Sequence, residues 1–223
     1  VASPEPEQIG SEVVRRLLEA FLRATPNRLP PDFPERIEKL ATGIALWGAR
    51  SNLTAHPEAP EEIAFHVIDC LMPVMLADDA GSPLKGQFAE GRRILDLGSG
   101  AGFPGLVLAA ASRANFTLVE SRRKRASFLQ FAAAEMGLAN VVVEMQRAET
   151  IAFAEPYDLV TARAFGDPAQ FFYLADQMLK PGGLAMLYAN PSLPQRLEIT
   201  RIPYQVSRRG ERVDRILALR KRA

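Results

Sequence analysis

The stretch Asp96-Leu-Gly-Ser-Gly-Ala-Gly-Phe-Pro-Gly105 constrains this chain more than any other. Apolar Ile94 and Leu95 lead into it and the run Leu106 to Ala111 follows, so it reads as a glycine-rich turn between a buried strand and a helix. Glycines there accept positive φ and let a ligand lie against bare main chain, while amides at the helix start point toward that ligand. Such a turn binds something nucleotide-like. The surrounding pattern agrees. Short apolar runs at Ile94–Leu97, Phe116–Val119, Val141–Val143, Leu159–Ala162 and Leu184–Tyr188 alternate with helix-compatible stretches near Gly105–Ala111, Lys124–Met136 and Pro168–Met178. Runs this short and continuous suit parallel strands buried on both faces. The alternation predicts an α/β, doubly wound, Rossmann-like sheet. Leu179-Lys-Pro-Gly-Gly-Leu184 predicts a tight turn just before the fifth strand, and Tyr204–Val206 with Val213–Leu219 predict a closing antiparallel hairpin.

Before residue 91 the period is helical. Ile9, Val13, Val14, Leu17, Leu18, Phe21 and Leu22 mark one helix, Ile37, Leu40, Ile44 and Trp47 a second, and Glu61 to Leu76 a third. The chain therefore divides into a helical extension over residues 1–90 and a ligand-binding core over 91–223. Its 223 residues and 48% hydrophobic content suffice for a sizeable core. The single cysteine, Cys70, excludes a disulfide framework and reads as a buried thiol in a reducing compartment. No apolar run approaches the ~20 residues of a membrane span, so a cytoplasmic protein without a membrane partner is expected. Two histidines, His56 and His66, give no metal-ligand spacing, and no metal is expected.

The loop's ligand can be narrowed. Asp96 stands two residues before the first glycine of Gly98-x-Gly100-x-Gly102, where a carboxylate would repel a pyrophosphate. S-adenosylmethionine has no phosphate and carries a sulfonium and an ammonium, which Asp96 favours. Glu120, closing the next strand, lies near the ~20-residue interval at which an acid reaches ribose hydroxyls. That residue supports a nucleoside without choosing between NAD and S-adenosylmethionine. An acidic residue before the glycines, a late Pro-Gly-Gly turn and a terminal hairpin together resemble the class I S-adenosylmethionine-dependent methyltransferases, whose sheet has seven strands. Basic residues cluster at Arg122, Arg123, Lys124 and Arg125, and again at Arg208, Arg209, Arg212, Arg215, Arg220, Lys221 and Arg222, against only Glu211 and Asp214 nearby. On a net charge of +1 these are either solvated faces or contacts to a polyanion.

A narrower resemblance rests on Trp47 with Asn52-Leu-Thr-Ala55, His66-x-x-Asp69, Leu95 to Gly105, Lys124-Arg-x-x-Phe-Leu129, Arg147-Ala-Glu149 and Thr161-Ala-Arg-Ala-Phe165. This ordered set is similar to the RsmG family, formerly GidB, bacterial methyltransferases acting on guanine N7 in small-subunit ribosomal RNA. The resemblance implies S-adenosylmethionine as methyl donor, S-adenosylhomocysteine as product, and 16S rRNA of the small subunit or its precursor as partner. It further implies a guanosine of the 530 loop as target, and a monomeric enzyme is expected. It places the cofactor against Gly98 and Phe103, Ala148 and Glu149, and Arg163, with Asp96, Gly100, Gly102, Glu120 and Ser121 completing the site. For Arg163 a salt bridge to Asp96 or Glu120 is the structural alternative. Four departures from the family pattern stand out: Cys70 where serine is usual, glutamate at 120 where aspartate is commoner, Arg122-Arg123 for a small pair, and no lysine-glycine after the fifth strand.

Guanine N7 has an in-plane lone pair at neutral pH, so methyl transfer needs no general base, and no nucleophilic triad is evident. No firm catalytic residue follows; Asn52, His66 and Asp69 are the substrate-side candidates. His66 and Asp69 share a helix face and alternatively tie the helices to the core. Trp47 reads as core packing or as a base-stacking platform. The basic run and Arg208-Arg209 are candidates for phosphate contact. A small-molecule or protein methyltransferase, a non-catalytic ribosome-binding protein and an NAD-dependent oxidoreductase remain the alternatives.

Overall fold

In a computed structural model of the chain, residues 6–25, 29–51, 53–56, 59–151, 155–195 and 197–223 are described. Three helices come first: α1 (Pro6–Ala24), α2 (Phe33–Ser51) and α3 (Pro60–Leu76). The alternating part follows as β1 (Arg93–Leu97), α4 (Gly105–Ala111), β2 (Asn115–Val119), α5 (Arg123–Glu135), β3 (Val141–Glu144), β4 (Tyr157–Arg163), α6 (Pro168–Met178) and β5 (Leu179–Ala189). The hairpin β6 (Thr200–Arg208) and β7 (Glu211–Lys221) closes the chain.

The seven strands form one sheet in the order β3-β2-β1-β4-β5-β7-β6. All pairings are parallel except β5 with β7 and β7 with β6. This is the class I methyltransferase arrangement. The order reverses between β1 and β4, the place where open α/β sheets bind ligands beyond the carboxyl ends of their strands.

Side-chain alternation assigns the two faces. Ile94, Phe116, Leu118, Leu159, Met186 and Leu217 belong to a cluster that also holds Val14, Leu18, Phe33, Ile37, Leu40 and Ile44 from the first helices and Leu106 and Phe128 from α4 and α5. Leu95, Leu97, Val160, Ala162, Ala185 and Ala218 point the other way, against Phe171, Phe172 and Ala175 of α6. The N-terminal helices therefore add a layer over the α4–α5 side. Trp47 belongs to that layer: its ring packs 6.0 Å from Phe128 and 5.5 Å from Phe131. It is core, not an exposed stacking platform.

One turn differs from expectation. Lys180 to Gly183 do not precede the fifth strand but bulge out of it: Tyr157 pairs with Leu179, and Leu159 already pairs with Leu184. The reason is distant in sequence. Gly182 donates its amide to the Arg222 carbonyl at 3.1 Å, and Arg222 donates to the Gly183 carbonyl at 2.8 Å, so the end of the chain supplies the partners that hold the bulge in the sheet.

Candidate active site

A cleft of about 680 Å³ opens at the carboxyl ends of the parallel strands. The glycine arch forms one wall. Gly98 has φ +73° and Gly100 +56°, conformations that favour glycine, and a Cβ placed on Gly98 would project into open space. The Phe103–Pro104 peptide is cis. Beneath the arch Asp96 is fully buried, with one carboxylate oxygen accepting from the Gly105 amide at 3.1 Å and the other without a protein partner. A Cβ on Gly105 would lie 2.6 Å from that carboxylate, so the helix can start there only with glycine. Burial, against the opposing Ser99 and Gly105 hydrogen bonds, pushes the Asp96 carboxyl up to about 7. Glu120 braces the arch from behind, accepting from the Gly100 amide at 3.1 Å and the Arg122 amide at 2.8 Å.

The opposite wall is built by α3. Asp69 is completely buried and accepts from three donors: Tyr204 Oη at 2.7 Å, Arg163 Nε at 3.0 Å and Arg215 Nη2 at 3.3 Å. Arg163 also places Nη2 at 2.7 Å from His66 Nδ1. A guanidinium only donates, so Nδ1 accepts and the ring proton sits on Nε2. Burial and then the Arg163 charge push His66 down to about 4, leaving it neutral. The ring contacts Phe103 with centroids 5.3 Å apart. Ala164, next to Arg163, holds φ +57°, a left-handed conformation that costs a non-glycine residue about 1–2 kcal/mol. Such strain collects at functional sites.

The alternative weighed for Arg163, a salt bridge to Asp96 or Glu120, does not form; its carboxylate partner is Asp69. Asp96 is sealed under the arch and Glu120 is occupied by main-chain amides, whereas Asp69 arrives from a helix 94 residues earlier.

Gly98, Gly100, Phe103, Arg163, His66 and Arg125 share the cleft wall. Gly102 and Asp96 lie below it. Ser121 and Glu149 are exposed and Ala148 packs half-buried against the second core cluster; none of the three lines the cleft. Asp69 does not reach the cleft surface and touches it only through its arginines. Asn52 lies outside the described residues, while Leu53, Thr54 and Ala55 after it line the cleft.

Arg122, Arg123 and Lys124 are exposed at the start of α5. The C-terminal basic cluster is not the unpaired patch that the local sequence suggests. Arg208 and Arg209 bind Glu62 at 2.7 and 3.1 Å, and Arg220 binds Asp176 at 2.6 Å. Reading charge from neighbours in sequence misses acids that the fold delivers from α3 and α6.

Sequence reasoning also missed Arg215 and Asn190. Asn190 immediately follows a parallel strand, a position that rule alone could have flagged. Arg215 gives no local signal, because Asp69 is 146 positions away. Among the described residues the cleft wall carries three arginines, His66 and Tyr188 as its titratable groups and no carboxylate, so it favours anionic ligands.

Residues 34–216 match the family described as GidB, rRNA small subunit methyltransferase G. The chain belongs to that family. Its members among curated proteins include ribosomal RNA small subunit methyltransferase G of Nitrosococcus oceani, 37% identical over 166 residues, 71% of this chain and 72% of that one. The protein of the same name from Acidovorax ebreus is 35% identical over 206 residues, 88% of each chain. Among solved structures, an S-adenosylmethionine-dependent methyltransferase of Thiobacillus denitrificans, in complex with S-adenosyl-L-homocysteine, is 24% identical at a TM-score of 0.43. It is matched over 49% of this chain and 47% of its own. Membership of the GidB family makes this chain a methyltransferase, and the methyl donor that its sequence implies is S-adenosylmethionine.

Its arch fits that cofactor. The space beside Gly98 that a side chain would fill is open, and the second Asp96 oxygen is buried without a partner. No helix among the described residues is long and apolar enough to cross a membrane.

Proposed function

We propose that the protein transfers the methyl group of S-adenosylmethionine to N7 of a guanosine in 16S rRNA, within the 530 loop of the small ribosomal subunit. Family membership supports the donor and the ribosomal acceptor. The state of His66 supports N7 as the accepting atom. The histidine at the cleft is neutral, hydrogen-bonded to Arg163 and too weakly basic to remove a proton at neutral pH. The tyrosines near it are no better placed: Tyr188 Oη donates to the Cys70 carbonyl at 2.8 Å and Tyr204 Oη to Asp69 at 2.7 Å, with both phenols pushed above their ordinary range by burial. An acceptor whose lone pair is already available suits such a site.

When bound, S-adenosylmethionine supplies an electrophilic methyl group. Gly98, Gly100 and Phe103 would hold it against bare main chain, with Asp96 beneath the arch and Glu120 fixing the arch from behind. Ser121, Ala148 and Glu149 would border its nucleoside end. Arg163 would present a guanidinium toward a carboxylate, and Asp69 with His66 keeps that guanidinium in place. Methyl transfer moves a positive charge rather than creating one, so the chain contributes chiefly by orienting the two reactants, worth several kcal/mol. The leading basic residues of α5, with Arg125 above Gly100, would draw in the RNA backbone.

The test is direct. The protein is incubated with methyl-labelled S-adenosylmethionine and small subunits lacking the modification, and N7-methylguanine is mapped by reduction and aniline cleavage. One labelled guanosine in the 530 loop is expected. Label in ribosomal protein, or on another base atom, refutes the reading.

A further inference from the structure

The two ring nitrogens of His66 have different surroundings. Nδ1 accepts from Arg163 Nη2 at 2.7 Å, which leaves the ring proton on Nε2. No described residue pairs with Nε2, and that atom is not sealed in the interior. His66 is half-buried and lines the cleft, so Nε2 presents an N–H donor to it. We propose that His66 Nε2 donates to O6 of the methylated guanine, and that this residue thereby selects guanine over adenine as the acceptor base. The proposal rests on the N7 reading above and adds to it the means by which the base is told apart.

Three observations carry it. The first is placement. Arg163, which holds Nδ1, is itself tied to Asp69 at 3.0 Å, and the imidazole meets Phe103 and Phe65 with centroids 5.3 and 5.4 Å apart. Phe103 belongs to the glycine arch and Arg163 to the end of β4, so His66 stands in the α3 wall against two residues assigned to the cofactor. Its free edge faces the space beside them, where the acceptor enters.

The second observation concerns the purine edge that carries N7. On guanine, N7 and O6 lie side by side and both accept, whereas on adenine the neighbour of N7 is the N6 amino group, which donates. A purine that offers N7 to the methyl group offers that neighbour to the protein. A donor there satisfies O6 and opposes an amino group. Side chains that could accept an amino group instead are scarce: among the described residues the wall has no carboxylate, Asn190 Oδ1 takes Arg215 Nη1 at 2.6 Å, and Tyr188 Oη is turned to the Cys70 carbonyl.

The third is charge. N7 becomes positive as it takes the methyl group, and a cation on the adjoining O6 would oppose that change. A neutral imidazole donates without adding charge. Burial and the Arg163 guanidinium keep His66 neutral, so it supplies what the arginines of the same wall do not, an uncharged donor.

Two amide variants separate the two contacts of the ring. An asparagine amide stands as many bonds from Cα as Nδ1, and a glutamine amide as many as Nε2. His66→Asn therefore keeps an acceptor for Arg163 and loses the cleft donor, while His66→Gln keeps a donor at the cleft. Small subunits are reconstituted with 16S rRNA carrying guanosine or 2-aminopurine at the methylated position; 2-aminopurine retains N7 and has no O6. Methyl transfer to both is measured at saturating S-adenosylmethionine, as kcat/KM for subunits, with the wild type and each variant. Effects of the analogue on RNA structure and on N7 reactivity are common to the three enzymes and cancel when their guanosine-to-2-aminopurine ratios are compared. Loss of one neutral hydrogen bond should shrink that ratio about threefold to tenfold in His66→Asn, with His66→Gln within about twofold of the wild type.

A His66→Asn enzyme that slows equally on both bases, its ratio unchanged, shows a residue that serves only to hold Arg163 and overturns the proposal. A ratio that falls equally in both variants overturns it too. If the wild type places no methyl group on guanine N7 of the subunit, the N7 reading fails before any variant is compared, and the proposal fails with it.

Discussion

Asp69→Ala should unfold this protein at a markedly lower temperature and weaken its hold on the cofactor together. The carboxylate is fully buried and is shared by Arg163, Arg215 and Tyr204. Removing one partner of a buried ion pair costs about 3–5 kcal/mol, because the remaining charge is left uncompensated. Here two guanidiniums lose their acid at once. Their side chains are 13% and 15% exposed, however, so cleft water hydrates them in part and the loss belongs near about 3 kcal/mol. For a chain of this length each kcal/mol moves Tm by about 2–4 °C, giving a drop of about 6–12 °C by calorimetry. Asp69→Asn keeps the shape and one acceptor and should lose roughly half as much. Because Arg163 is held by Asp69 and His66, calorimetric affinity for S-adenosylhomocysteine should fall in the same variant. An Asp69→Ala protein within about 1 kcal/mol of the wild type, with undiminished cofactor affinity, would refute the idea that this carboxylate organises the site.

Arg163→Gln should weaken S-adenosylhomocysteine binding about tenfold or more while lowering Tm less than Asp69→Ala, as calorimetry on the two variants compares directly. Gly105→Ala places a methyl against Asp96 and should cost about 1–3 kcal/mol by overpacking, measured by urea unfolding. The two shifted groups pull stability in opposite directions with pH. His66 sits lower in the fold than in the open chain, so its contribution is complete above pH 6.5 and is lost as pH falls toward about 4; His66→Gln should flatten that acid limb. Asp96 sits higher in the fold, so its contribution is complete below 3.8 and is lost as pH rises through about 7; Asp96→Asn should unfold at higher denaturant than the wild type at pH 8 but not at pH 4.

What the sequence disclosed is what local chemistry controls. Helix α4 begins and ends where its apolar run does, because the glycine arch fixes one end. Helix α6 begins at Pro168, with Asp167 capping it by accepting from the Ala169 amide at 2.9 Å. The arch and the hairpin were legible for the same reason; Asp96 and Glu120 were legible as acids at the arch, but the main-chain amides they hold were not. The bulge in β5 was not, since its partners come from Arg222, nor were the true partners of Arg163 and of the basic hairpin. Arg208 and Arg209 share one acid, Glu62, that their own stretch of sequence does not show. Charges that stand alone in sequence share long-range acids, two arginines to Glu62 and two to Asp69.

These pairs share a geometric origin. Glu62, His66, Asp69 and Cys70 recur at offsets of four, seven and eight, which puts them on one face of α3. Each meets a different part of the carboxyl-end rim: Glu62 holds Arg208 and Arg209, His66 and Asp69 hold Arg163, Asp69 also holds Arg215 and Tyr204, and the Cys70 carbonyl takes Tyr188. A polar stripe of this kind, buried rather than solvated, explains why α3 reads as a mixed sequence while packing like a core helix. It also explains why the helices before residue 91 belong to the chemistry. Without α3 the sheet would still present the glycine arch, but the two arginines at its far side would have no carboxylate to aim them, and the cleft would have one wall.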